Sequence, residues 1–132
     1  MTFVDSNVLL DLGTADPVWA DWSARQLEAA ILLGPVWIND VVYAELSVRV
    51  DRMEAVDAFL EGLRIEIRPS SRPALFLASK AFANYRARGG ARTGVLPDFF
   101  IGAQAAIEGL PLLTRDATRF RTHFPTVQLI AP

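Results

Sequence analysis

Four carboxylates in this chain stand where chemistry can be done: Asp5, Glu45, Asp98 and Asp116. Asp5 directly follows the apolar run "TFV", Asp98 begins "DFFIGAQAAIEG", Asp116 follows "PLLTR", and Glu45 lies inside "VVYAEL". On a helix Glu45 shares a stripe with Val42 and Leu46, so it faces the body of the protein and needs a partner for its charge. Carboxylates that converge raise one another's pKa values unless a cation sits among them. A hard divalent ion meets that need, and Mg²⁺ is the expected one because it takes oxygen ligands and binds through one or two carboxylates plus phosphate oxygens. With a single histidine, His123, and no cysteine, zinc has no evident ligand set. Such a site points to in-line displacement at phosphorus, in which the metal lowers the pKa of a bound water. Ser6, Asn7 and Thr114 offer hydroxyl or amide groups to orient water or phosphate, and Arg86, Arg88, Arg92 and Arg115 offer cations for a phosphate backbone.

Each of these residues also has an ordinary structural use. Asp5, Asp98 and Asp116 fit helix N-caps, worth about 1 kcal/mol each. Glu45 fits an ion pair with Arg49, and Asn7 and Thr114 fit local hydrogen bonds to the backbone. The arginines fit solvated surface, and His123 fits a surface position near the C-terminus. Which use holds depends on the elements that position them.

Those elements alternate. "TFVD", "PVWIN", "RIEIRP", "LPLLTR" and "TVQLI" read as short strands. Between them, "ADPVWADWSARQLEAAILLG" reads as a helix with Asp16 as N-cap, Pro17 at its first position and Gly34 just past its end. Asn39 or Asp40 caps a helix through "VVYAELSVR", Asp51 caps "RMEAVDAFLEGL", and Ser70 or Ser71 starts "RPALFLASKAFANYRAR". The stretch "GGARTGVLP" is expected to be a loop, followed by helices over "DFFIGAQAAIEG" and "DATRFRTHF". Strands separated by helices imply right-handed crossovers, hence an α/β fold with a mainly parallel sheet and helices on both faces. Ligands of such sheets bind outside the carboxyl ends of the strands, where Asp5 and Asp116 fall. Trp37 is expected in the core, whereas Trp19 and Trp22, three apart on a helix, pack inward or form a patch.

The 132 residues suit one domain, 1–132, with no repeat or linker, and 52% apolar against 21% charged residues excludes a disordered or fibrous class. The net charge of −2 conceals twelve acids against four bases in residues 1–66, and three acids against nine bases in residues 67–132. A basic second half suits an anionic partner, unless the halves interleave and their fields cancel. Absence of cysteine fits a reducing compartment. No basic segment precedes an apolar run at the start, and no apolar run approaches the ~20 residues of a bilayer crossing, so a cytoplasmic location without membrane contact is expected.

Taken in order, "FVDSNVLLDL", "VVYAEL", "LPDFFIGAQA" and "LLTRDATRF" resemble the PIN-domain ribonucleases, especially the VapC-type toxins of bacterial toxin–antitoxin pairs. The resemblance spans nearly the whole chain. It implies a PIN-like three-layer sandwich whose acidic pocket holds Mg²⁺ or Mn²⁺ and hydrolyses RNA phosphodiesters. It further implies a homodimer and inhibition by a small VapB-type antitoxin threaded into the active-site groove. Position by position, Asp5, Glu45, Asp98 and Asp116 match the four metal-binding acids, Thr114 the hydroxyl residue two before the last acid, and Asn7 the polar residue after the first. This chain departs from the family in placing Phe99 and Phe100 where smaller aliphatics are frequent, and in its Gly- and Arg-rich loop 88–97. Two other functions compete. One is a module of the same fold that grips RNA or protein without hydrolysis. The other is a Mg²⁺-dependent phosphatase or receiver domain, weakened because a receiver wants a lysine near its last strand and Lys80 lies in a long helix.

Overall fold

The computed structural model describes residues 1–91 and 94–132; Arg92 and Thr93 lie outside the described residues, and with them part of the loop 88–97. Five short strands, β1 (Thr2–Val4), β2 (Val36–Ile38), β3 (Ile65–Ile67), β4 (Leu112–Leu113) and β5 (Leu129–Ile130), form one sheet in the order β3-β2-β1-β4-β5. Every pair is parallel. The helices are α1 (Ser6–Gly13), α2 (Ala20–Leu33), α3 (Asp40–Ser47), α4 (Met53–Gly62), α5 (Arg72–Ala87), α6 (Leu96–Glu108) and α7 (Thr118–His123). From central β1 the chain moves outward to β2 and β3, then crosses back to β4 and moves outward the other way to β5. Right-handed crossovers therefore carry helices to both faces, the expected α/β sandwich. The order reverses between β1 and β4, and the crevice beyond their carboxyl ends is where such sheets bind ligands.

The central strands are buried and, Thr2 apart, apolar, as a sheet covered on both faces requires: Phe3, Val4, Val36, Ile38, Leu112 and Leu113 are buried. Trp37 joins them, and its indole N–H donates to Glu66 at 3.0 Å. Trp22 packs on the core and meets Trp19 edge to face, with centroids 6.0 Å apart. Among the described residues no helix is long and apolar enough to cross a membrane.

Local signals hold at several helix ends and fail at others. Asn39 caps α3 by accepting from the Val42 N–H at 2.9 Å, and Ser71 caps α5 by accepting from Ala74 at 3.3 Å. Gly34 ends α2 with φ of 152°, a backbone shape that disfavours any side chain. The carboxylate of Asp16 does accept from Val18 and Trp19, but it closes a turn, and α2 starts only at Ala20. Arg52, not Asp51, occupies the N-cap of α4. The helix α1 follows β1 at once, over a segment to which the periodicity assigned no element of its own.

One ion pair and one close approach tie the layers together. Buried Asp11 of α1 receives Nε and Nη2 of Arg115 at 2.9 and 3.0 Å, and the Ser23 hydroxyl of α2 at 2.9 Å. Arg115 is thus held by Asp11 instead of standing ready as a cation for phosphate. A close approach binds α6 to the end of α7: a Cβ built on Gly102 would lie 2.4 Å from the buried Phe124 ring and 3.1 Å from Phe120. Gly102→Ala adds helix propensity worth about 1 kcal/mol, yet overpacking costs about 1–3 kcal/mol, and both rings are enclosed. A net loss of stability in urea unfolding is the expected outcome; a gain would show that Phe124 yields freely.

Candidate active site

The crevice between β1 and β4 is built from the two residues that leave those strands. Asp5 follows β1, takes the N-cap position of α1 in an extended conformation, and makes no capping hydrogen bond there. Its side chain is turned across the sheet, where Oδ2 accepts the Thr114 hydroxyl at 2.8 Å just beyond β4. Thr114 is wholly enclosed. Its Oγ1 accepts in turn from the Asp116 N–H at 3.1 Å and from Asn7 Nδ2 at 3.4 Å, while Asn7 Oδ1 accepts from the Arg115 N–H at 3.3 Å. Thr114, braced by Asn7, therefore fixes the orientation of Asp5.

Ser6 links the first acid to the second. Its hydroxyl donates to Glu45 Oε1 at 2.9 Å, and lies 3.4 Å from Asp5 Oδ1. The Asn39 cap at the start of α3 fixes the helix that carries Glu45, so a strand-end residue sets the second acid's position. Glu45 is half-buried, and the partner of its carboxylate is Ser6 where Arg49 was the expected ion pair.

Asp98 is the third residue of α6, behind Leu96 and Pro97, with Val95 at the N-cap. It therefore sits in the first turn, where a carboxylate faces the positive end of the helix dipole, and not at the cap. Its Oδ2 receives Arg119 Nη1 of α7 at 2.5 Å. Asp116 precedes Ala117, the N-cap residue of α7, so it too is no cap. It is exposed at the rim, joined to the site by its N–H to Thr114 and by a hollow it shares with Arg119.

Electrostatics place three of the four acids in one field. Burial, then the charge of Asp98, then that of Glu45 push the Asp5 carboxyl up to about 7, against the hydrogen bond from Thr114. Burial also raises Glu45, with a further contribution from Asp98, against the hydrogen bond from Ser6. Asp116 is absent from both sets of causes. Among the described residues no three acids or histidines stand close enough as they are to enclose an ion, with Asp98 drawn toward Arg119. The donor set nevertheless suits a hard cation: it holds oxygen only, and at Asp5 its surplus negative charge outweighs the hydrogen bonds provided.

Arg119 was not foreseen. It lies three residues after Asp116 on one helix, but its pairing with Asp98 joins α7 to α6, and no local pattern signals that. His123 is no free surface residue: it is half-buried against Tyr85 and Phe99, with ring centroids 5.6 and 5.0 Å away.

A family model described as the PIN domain matches residues 2–123. Among solved structures, the VapBC2 complex of Rickettsia felis bound to a promoter DNA fragment contains a chain with TM-score 0.74 and 19% identity, the match covering 98% of this chain and 97% of that one. FitAcB of Neisseria gonorrhoeae gives 0.68 and 21%, over 98% and 96%. DNA-bound VapBC of Salmonella typhimurium gives 0.71 and 18%, over 98% and 96%. No curated protein matches the sequence at a significant level.

Proposed function

Because this chain belongs to the PIN-domain family, we propose that it is a divalent-metal-dependent endoribonuclease, the toxin of a VapC-type toxin–antitoxin pair. The observation that carries this reading is Asp5: a buried carboxylate at the switch point of a parallel sheet, within the field of Glu45 and Asp98, with its pKa lifted to about 7. Asp5, Glu45, Asp98 and the rim residue Asp116 would hold Mg²⁺ or Mn²⁺. Bound there, the ion would acidify a water and neutralise charge developing on the phosphate.

The chain's own residues do the rest. Thr114, itself braced by Asn7 and the Asp116 N–H, keeps the Asp5 carboxylate fixed. Ser6 holds Glu45 beside it. With its pKa raised by burial, Glu45 is suited to take the proton that the attacking water loses. Arg119 keeps Asp98 from standing uncompensated.

The neighbours solved as VapBC and FitAB complexes support a small antitoxin as partner. An apolar cavity of about 320 Å³ between α1, α3 and α4, lined by Leu9, Leu46, Val56 and Phe59, suits an apolar helix of that antitoxin. Exposed Leu75 and Phe76 on α5 suit a homodimer contact. A cytoplasmic location belongs to the same reading. The second function, a non-catalytic binding module of this fold, is favoured by one feature, the guanidinium that occupies Asp98.

Incubation of nuclease-free protein with single-stranded RNA and Mg²⁺ or Mn²⁺ separates the two. Cleavage that stops with chelator and with Asp98→Asn is expected; retained RNA binding with no cleavage under any divalent ion would establish the binding module instead.

A further inference from the structure

Beyond the acidic crevice, two hollows follow one another along the seam between α5 and α7. The first, about 320 Å³, is lined by Asp116 and Arg119 together with Tyr85 and His123. The second, about 230 Å³, contains Lys80, Asn84 and Arg88, and shares Thr122 and His123 with the first. Resting on the ribonuclease reading, we propose that single-stranded RNA leaves the acidic site along this seam, with a base against the Tyr85–His123 wall and phosphates meeting Arg88 and Lys80.

The wall is aromatic. His123 stands at 84° to Tyr85 and packs on Phe99, which is fully buried and itself 5.5 Å from Tyr85. Every base has a π-face, so such a wall holds bases of any sequence, and cations beside it track the backbone. His123 has its pKa lowered by burial, then by the charge of Arg119, then by that of Arg88. It is accordingly neutral at pH 7, and the positive charge of the seam belongs to the arginines and Lys80. Asp116 is the single acid lining either hollow, and it stands at the end nearest the site. Charge thus changes sign along the path, acidic where metal is wanted and basic where only backbone must be held. A protein partner is less suited, because these hollows are polar and cationic whereas the cavity between α1, α3 and α4 is apolar.

The test is fluorescence anisotropy of the full chain with a labelled single-stranded oligoribonucleotide in EDTA, across a salt series. Lys80→Gln combined with Arg88→Gln, both on exposed side chains, is expected to weaken binding about tenfold at low salt. It should also flatten the slope of log affinity against log salt by about 1.4, the value for two lost phosphate contacts on a single strand. Tyr85→Leu should weaken binding by about 5- to 100-fold, with the salt slope unchanged. Arg25→Gln with Arg52→Gln removes the same charge elsewhere and should change neither quantity. A charge-pair variant equal to the parent overturns the proposal, as does an equal loss in the Arg25/Arg52 control, a parent that binds no RNA, or a loss seen only against an antitoxin peptide. Cleavage with Mg²⁺ in parallel keeps the two readings apart. A parent that cleaves and a charge-pair variant with unchanged KM remove the seam alone; the expected salt slopes without cleavage remove the nuclease reading alone.

Discussion

Asp5→Asn is expected to lower RNA cleavage by on the order of 10³-fold or more, the scale on which preorganised charge at a reacting phosphate is lost. The substitution keeps the shape of the side chain and an oxygen able to accept from Thr114, so the fold and the network around the crevice should survive. What disappears is the negative charge. The loss should therefore fall on kcat with little effect on RNA affinity measured in chelator, and circular dichroism should match the parent. Cleavage within a few-fold of the parent would remove Asp5 from the machinery and with it the central premise of the nuclease assignment.

A second large effect concerns stability without metal. The Asp5 carboxyl titrates near 7 in the folded chain and near 3.8 when unfolded. An acid with a raised folded pKa holds its proton more tightly in the native state. The fold is therefore unaffected by this group below about pH 4, loses stability as pH rises through the interval, and bears the whole cost above about pH 7. Roughly three units correspond to about 4 kcal/mol, and Glu45, shifted the same way by burial, adds to it. In EDTA, urea unfolding at pH 5 and pH 8 should show the parent weakened at the higher pH far more than Asp5→Asn, which should be the more stable protein at pH 8. Added Mg²⁺ should restore the parent and leave the variant nearly unmoved. Parallel pH profiles for the two proteins would show that Asp5 does not carry this cost.

Much of the frame was legible because it depends on local rules. Short apolar runs gave the strands, Asn39 and Ser71 gave true caps, and the Gly34 signal fell at the end of α2. The acids were placed less well, and the reasons are specific. Asp98 looked like a cap because Pro97 looked like the end of a loop, yet proline fits the first turn of a helix, and α6 begins at Leu96. Asp5 does hold a cap position, but its carboxylate spends its hydrogen bond on Thr114, 109 residues away. Arg115 read as surface and Arg119 went unnoticed because their partners, Asp11 and Asp98, lie 104 and 21 residues off in sequence. Helical or strand periodicity carries no information about such pairs; β4 beside β1 brings Thr114 to Asp5 and Arg115 to Asp11, and the packing of α7 on α6 brings Arg119 to Asp98.

That same 109-residue span has a consequence during synthesis. Asp5 leaves the ribosome 109 residues ahead of Thr114, and the hydrogen bond between them needs β4 laid beside β1. At bacterial or eukaryotic elongation rates the interval is about 5–20 s. Throughout it the nascent polypeptide has its first acid without the residue that aims it. The crevice can take its final geometry only once Thr114 has emerged and β4 lies beside β1.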